Sequence, residues 1–364
     1  MCLVQAKLQL LKKTEISPEA SPSKNGVYKN APSGGKRIVR AFFSIALALL
    51  LLWLVYRKID LSLLWESLKK GSIKWGIIGV SIAIEALANT LRGLRWRLQM
   101  LPLAPPVPRR IVVIASMWGC YAVNLVLPRM GELWRCYLVS HKEQMSFSAV
   151  VGTLVSDRLV DVVMMGVLFL IALGGFGDEV THLLVGAGIK QSLYHFFTSP
   201  WLYGALLAVV GLFILFRKKV KQGAWGAKIE SFGKKFVSGF RTIRNMPHKG
   251  LFTILTLLIY TLYFIAFYCT FYAFPFTADL GVGVGLLAFI MATLGVALPV
   301  QGGIGPWHFM CITTLLAFGV SKNDAGLFAI VVHTSQTLGI AFLGLLAILF
   351  VPLLSRNRNN FTNK

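Results

Sequence analysis

The sequence predicts an all-α fold: a polytopic transmembrane helix bundle of about eight spans, with re-entrant or broken helices and an inverted repeat. Three observations lead there. The 364 residues are 56% hydrophobic and only 14% charged, with a mean hydropathy of +0.68, whereas soluble domains average about a quarter charged. Apolar runs near 38–56, 73–91, 149–174, 200–216, 251–274, 281–299 and 324–352 approach or exceed the roughly 20 helical residues needed to cross about 30 Å of hydrocarbon. Finally, Leu127-Pro-Arg-Met-Gly131 recurs half a chain later as Leu298-Pro-Val-Gln-Gly302, each closing an apolar run. Interrupted segments in matching places of two halves mark transporters built from inverted repeats, with the binding site at the breaks. Chance recurrence in a chain rich in Leu and Gly is the competing explanation.

Taken in order, residues 1–37 are polar and lack an apolar signal core, so they read as a disordered cytoplasmic tail ahead of an uncleaved first span. Residues 38–352 form the membrane domain, and 353–364 a second cytoplasmic tail. Basic residues set the orientation. Residues 217–249 hold ten Lys or Arg against Glu230 alone, and Arg92, Arg95, Arg97, Arg109 and Arg110 crowd the loop after the 73–91 run, whereas 175–199 holds Asp178, Glu179 and only Lys190. The positive-inside rule places the N-terminus, 92–110, 217–249 and the C-terminus inside, although Arg57, Lys58, Lys69, Lys70 and Lys74 in the 57–74 loop run against it. Residues 111–148 must then return to the side they left, which favours a re-entrant 111–127 over a crossing. The short 306–319 run is expected to cross.

Within 217–249, Trp225, Ile229, Phe232, Phe236, Phe240 and Ile243 share one face of an amphipathic helix over about 224–245. It is suited to the headgroup plane of an anionic leaflet. The net charge of +23 lies mainly between apolar runs, so membrane lipids with anionic headgroups are the expected partners and nucleic acid is not. Cys2, Cys120, Cys136, Cys269 and Cys311 have no metal-ligand spacing. No P-loop, His-Glu-x-x-His or Gly-x-Ser-x-Gly occurs, and no cofactor is implied.

Charges at membrane depth single out the candidate site, because each costs about 2.5–3.5 kcal/mol at a helix centre. Asp157, Arg158 and Asp161 share one helical face in the 149–174 run. Either they neutralise one another as a clamp, with Arg129 or Arg135 as a further partner, or they line a path where a substrate phosphate displaces a carboxylate. Glu132 and Arg135 follow the first break. Glu85, Asn89 and Arg92 form a stripe at i, i+4 and i+7. Glu85 is expected to pair with a buried arginine, and Arg92, Arg95 and Arg97 to reach the headgroups. On the last helix His333, Gln336 and Thr337 share a face, for which hydrogen-bonded packing is the simplest role. Gly302, Gly303 and Gly305 can bring backbone amides close to an anion beside His308.

These residues resemble the flippase-like family related to the transmembrane region of lysylphosphatidylglycerol synthase. The resemblance rests on Asn124 with Leu127-Pro-Arg-Met-Gly-Glu132 and Arg135, then Asp157-Arg-Leu-Val-Asp161, then Pro299-Val-Gln-Gly-Gly-Ile-Gly305. It covers roughly 38–352 and implies a multi-pass inner-membrane protein that moves or handles lipids. Bifunctional members flip aminoacylated phosphatidylglycerol made by a fused soluble synthase domain. That domain is missing here, so synthase activity is not carried over and an enzyme is not expected. The family commonly has a glutamate shortly after the Gly-Gly-x-Gly turn, where this chain has Pro306-Trp307-His308. A less negative site favours anionic lipids over a cationic headgroup. The expectation is a lipid translocase whose substrate phosphate meets Arg135 and Arg158. The alternative is a non-transporting membrane partner of a glycosyltransferase or another lipid-modifying enzyme.

Overall fold

The computed structural model describes residues 73–103, 107–127, 129–186, 246–298 and 300–350. The expected spans near 38–56 and 200–216, both tails, the 224–245 helix, Pro128 and Pro299 lie outside the described residues. Within them every regular element is helical. The α-helices are α1 (Trp75–Met100), α2 (Arg110–Val126), α3 (Met130–Glu143), α4 (Phe147–Gly175), α5 (Gly177–Gly186), α6 (Lys249–Cys269), α7 (Val282–Ala297), α8 (Pro306–Ala317) and α9 (Lys322–Phe350). Three 3-10 turns accompany them, at Leu101–Leu103, Thr270–Ala273 and Gln301–Gly303.

Helix length divides these elements into two kinds. With their 3-10 extensions, α1, α4, α6 and α9 run 25 to 29 apolar residues, or about 37 to 43 Å at 1.5 Å per residue, enough to cross a bilayer. By contrast α2, α3, α7 and α8 have 17, 14, 16 and 12 residues, or about 18 to 26 Å. Each short pair packs as a hairpin, α2 on α3 and α7 on α8. The order long, short, short, long therefore occurs twice.

The two sets are inverted. At the base of the first hairpin, Arg109 before α2 pairs with Glu143 at the end of α3, Nε to Oε1 2.8 Å, next to the start of α4. The second hairpin has its base at the other end of α4. There, a methyl group on Gly283 would lie 2.6 Å from the Phe176 ring, and Phe318 stacks on His182 of α5 with ring centroids 5.2 Å apart. Between these bases the tips meet. Arg129 donates from Nη2 to the Ala297 carbonyl, and a methyl on Gly302 would lie 3.3 Å from Leu125 Cδ2.

Two expectations change. The 281–299 run, read as a full span, forms a helix of only 16 residues that turns back. The 306–319 run does not cross, because the 12-residue α8 pairs with α7. Replacing two crossings with one hairpin leaves the parity of the chain unchanged, which is why basic-residue counting missed it. The first hairpin is re-entrant in form, as favoured from sequence.

Close approach requires small residues at both hairpins. A methyl on Gly131 would come 2.1 Å from the Cys120 carbonyl oxygen, and the Gly131 amide donates to Asn124 Oδ1 at 2.8 Å. The second tip turns through left-handed glycines at 302, 303 and 305 (φ 59°, 74° and 94°), where a side chain would be strained. Around the second hairpin the core is aromatic, with Phe267, Phe271, Phe289, Trp307 and Phe328 in edge or tilted contacts. Around the first it is smaller, built on Trp96, Met117, Cys136 and Val150.

Candidate functional site

Three helices each turn a pair of charged residues, three or four apart, toward the same place. From α1 come Arg92 and Arg95, from α3 Glu132 and Arg135, and from α4 Asp157 and Asp161 with Arg158 beside them. Asp157 lies ten residues into α4, about 15 Å along its axis and so near the middle of a crossing helix. Four guanidiniums thus face three carboxylates, leaving one positive charge in excess.

The innermost layer is Arg95, Arg135 and Asp157, all with side chains 0% exposed. Arg95 Nη2 lies 2.5 Å from Asp157 Oδ1 and 3.0 Å from Asp161 Oδ1, while Arg135 Nη2 lies 3.3 Å from Asp157 Oδ2. The Arg135 guanidinium also sits 4.4 Å above the Trp96 ring, whose Nε1 donates to Thr153 Oγ1 at 2.9 Å. Stacking on the face of a tryptophan adds electrostatic attraction where no water can. An outer layer consists of Arg92, which bonds Asp161, then Glu132 and Arg158. Arg158 is 40% exposed and held by separations of 3.3 Å to Glu132 Oε1 and 3.2 Å to Asp161 Oδ2. From α6, Tyr260 donates to Asp161 Oδ1 at 2.9 Å, so the second half of the bundle touches the cluster directly.

Several residues stand elsewhere than expected. Arg92 and Arg95 are not headgroup anchors. An i, i+3 pair on a helix that packs against both α4 and α6 points inward, and their charge is matched there by α4. Arg97 donates to the Pro108 carbonyl at 2.7 Å instead of reaching out. Glu85 pairs with no arginine among the described residues, and its Oε2 is buried without a hydrogen-bond partner. Arg129 contacts the opposite tip rather than Asp157, Arg158 or Asp161.

The glycine turn also differs from expectation. Its amides are turned to the protein's own acceptors: Gly303 N–H donates to the Val300 carbonyl at 3.2 Å and Gly305 N–H to His308 Nδ1 at 3.3 Å. The Gly302 carbonyl in turn accepts from His333 Nε2 at 3.1 Å, and the two imidazoles lie 4.6 Å apart. His333 thus braces the turn, in keeping with a packing role. Gln336 donates to Ser81 Oγ at 2.9 Å, tying α9 to α1. His308 belongs to this second break and does not join Asp157 and Asp161. Among the described residues no three metal-ligating side chains converge.

The lysylphosphatidylglycerol synthase transmembrane-region family matches residues 41–356, which includes both hairpins and the whole cluster. The chain belongs to this family. No curated protein and no solved structure matches it. As a member of the lysylphosphatidylglycerol synthase transmembrane-region family, it is a membrane protein of a lipid-modifying family. The motifs that suggested the relation have distinct physical tasks in it. Asn124 and Gly131 close the first tip, Asp157, Arg158 and Asp161 anchor the cluster, and Gly302, Gly303 and Gly305 shape the second tip. Residues that motif reading passed over are Arg95, Trp96, Tyr121, Tyr260 and Tyr263. The tyrosines sit in apolar runs where they read as ordinary core, and the i, i+3 spacing of Tyr260 and Tyr263 is the local signal that could have found their shared inward face.

Proposed function

We propose that the chain is a lipid translocase that moves a phosphate-bearing lipid across the inner (plasma) membrane, with both termini cytoplasmic. The observation that carries this reading is the graded charge cluster. It is a surplus-positive site at membrane depth, buried and ion-paired through Asp157 on its inner side and loosely paired at the exposed Arg158. A purely structural clamp has no use for an unbalanced positive charge, whereas a phosphate headgroup supplies the missing negative one.

In this reading Arg158 is the first phosphate contact. Its planar fork can give up Glu132 and donate two parallel bonds to phosphate oxygens. Arg92, 12% exposed, is the second. Arg135, at 0% exposure, positions the site from behind by fixing Asp157. The acyl chains stay in lipid while one inverted half rocks against the other, as expected of inverted-repeat carriers.

Purified protein in liposomes is expected to move a fluorescent phospholipid between leaflets. Arg158→Ala, folded normally, should slow this at least tenfold, with partial recovery in Arg158→Lys. Arg158→Ala moving lipid at the wild-type rate would rule out the phosphate role. Wild-type protein moving none would leave the non-transporting partner as the better reading.

A further inference from the structure

Glu85 stands apart from the carboxylates of the first hairpin and α4. Asp157, Asp161, Glu132 and Glu143 each lie within 4 Å of an arginine. Glu85 forms no ion pair among the described residues, and its Oε2 is buried without a hydrogen-bond partner. The spare nitrogens of Arg95, Arg135 and Arg158 differ in kind, because each of those guanidiniums already holds a carboxylate. The polar side chains one turn to either side of Glu85 are neutral. Ser81 donates to the Ala266 carbonyl at 2.7 Å and accepts from Gln336 at 2.9 Å. Asn89 Oδ1 accepts from two tyrosine hydroxyls, Tyr121 of α2 at 2.6 Å and Tyr263 of α6 at 2.7 Å. The charge cluster begins along α1 only at Arg92, about 10 Å further on by the helix rise.

We propose that Glu85 is the proton-binding group of the site, ionised while the cluster is empty and taking up one proton when a lipid phosphate binds. This rests on the phosphate placement at Arg92 and Arg158 given above. Charge balance leads there. Four guanidiniums face three carboxylates, and an ionised Glu85 on the same side of α1 supplies a fourth negative charge. Across about 10 Å of buried protein that attraction is weakened little by bulk water or salt. A bound phosphodiester brings its own negative charge, so one anion is then in excess, and an unmatched charge at membrane depth is costly. Protonation of Glu85 removes the excess: one O–H bond forms at its carboxylate as one breaks in hydronium, and lipid anion and proton cross together. Facing this side of α1 are Tyr121 of α2, Asp157, Arg158 and Asp161 of α4, Tyr260 and Tyr263 of α6, and His333 of α9, one turn from Gln336. Of these only histidine ordinarily titrates near neutrality, so His333 is the control.

The test is binding of phosphatidylmethanol, a diester whose single charge does not titrate near neutrality, to the purified full-length protein in micelles. The range runs from about pH 4 to about pH 9, which takes in both ordinary and fully buried glutamates. Affinity is expected to rise as pH falls, by up to about tenfold per pH unit, the limit for one proton taken up per lipid. Glu85→Gln, fixed in the neutral form, should bind tightly at every pH, and only the wild type should withdraw protons from weak buffer as lipid binds. A flat profile for wild type, or an affinity that falls on acidification, would overturn the inference. So would a pH dependence that survives Glu85→Gln, with His333→Gln showing whether histidine carries the proton instead. Binding is measured apart from movement: proton-linked binding without scrambling in liposomes would sink the translocase reading and keep Glu85 as the proton site, whereas no binding by wild type would overturn both.

Discussion

Asp157→Asn tests the organisation of the charge cluster most directly. Asp157 is 0% exposed and has all four guanidiniums within 4 Å: Arg95 at 2.5 Å, Arg135 at 3.3 Å, Arg92 at 3.8 Å and Arg158 at 3.9 Å. Neutralising it raises the positive excess from one charge to two. Arg95 keeps Asp161 at 3.0 Å and Arg158 keeps Glu132 and Asp161, but Arg135 keeps no carboxylate. Breaking a buried pair by removing one partner costs about 3–5 kcal/mol, because the surviving charge stays buried and uncompensated. The loss here is expected within that range, moderated by the Trp96 face above Arg135. Equilibrium unfolding in mixed micelles measures it. The double variant Asp157→Asn with Arg135→Met, which removes both charges, should recover most of the loss. A single variant within about 1 kcal/mol of wild type, or a double variant that merely adds the two losses, would refute the assignment of Asp157 as the counter-charge of Arg135.

Two further predictions concern the hairpins. Gly131→Ala places a methyl 2.1 Å from the Cys120 carbonyl and should destabilise the protein by at least the ~1–3 kcal/mol typical of overpacking. Gly76→Ala, with nothing within 4 Å, should be neutral or slightly stabilising in the same unfolding measurement. In a background with all five cysteines replaced, Gln144→Cys at the exposed base of the first hairpin and Asp279→Cys just before the second should react with a membrane-impermeant thiol reagent from opposite sides. Labelling of both from one side would dismiss the inverted arrangement.

What could be read from the chain depended on whether the signal was local. The broken segments were legible, because a proline and a glycine after an apolar run are punctuation that neighbouring sequence cannot cancel. The Asp157, Arg158, Asp161 face was legible for the same reason, since a helix fixes it without help from elsewhere. The partners were not. Arg95 sits among basic residues that positive-inside counting assigns to a loop, and only its packing beside α4 shows it at 0% exposure against Asp157. The Gly302–Gly305 turn misled in the opposite sense. Glycines free the backbone amides, but the sequence does not reveal that His308 Nδ1 and the Val300 carbonyl accept two of them. Crossing number was the third difficulty, because a hairpin and a pair of crossings leave the following segment on the same side.

The two hairpins share a shape and divide the labour. In the first half, Arg95, Asp157 and Arg135 bind α1, α4 and α3 through buried charge, and such a joint resists sliding because any displacement leaves a guanidinium unpaired in a dry interior. In the second half, α6 meets α7 and α8 through aromatic rings and α7 turns back into α8 through three left-handed glycines, contacts that tolerate small shifts without exposing charge. Between them lie the Arg129 bond to the Ala297 carbonyl and the Tyr260 bond to Asp161, which a movement of one half would have to exchange. If the halves rock as proposed, α7 and α8 are therefore the part expected to move against a wall of α1, α3 and α4. On the same proposal the phosphate contact sits on that fixed wall, at Arg158, where the site would keep its charge while its access changes.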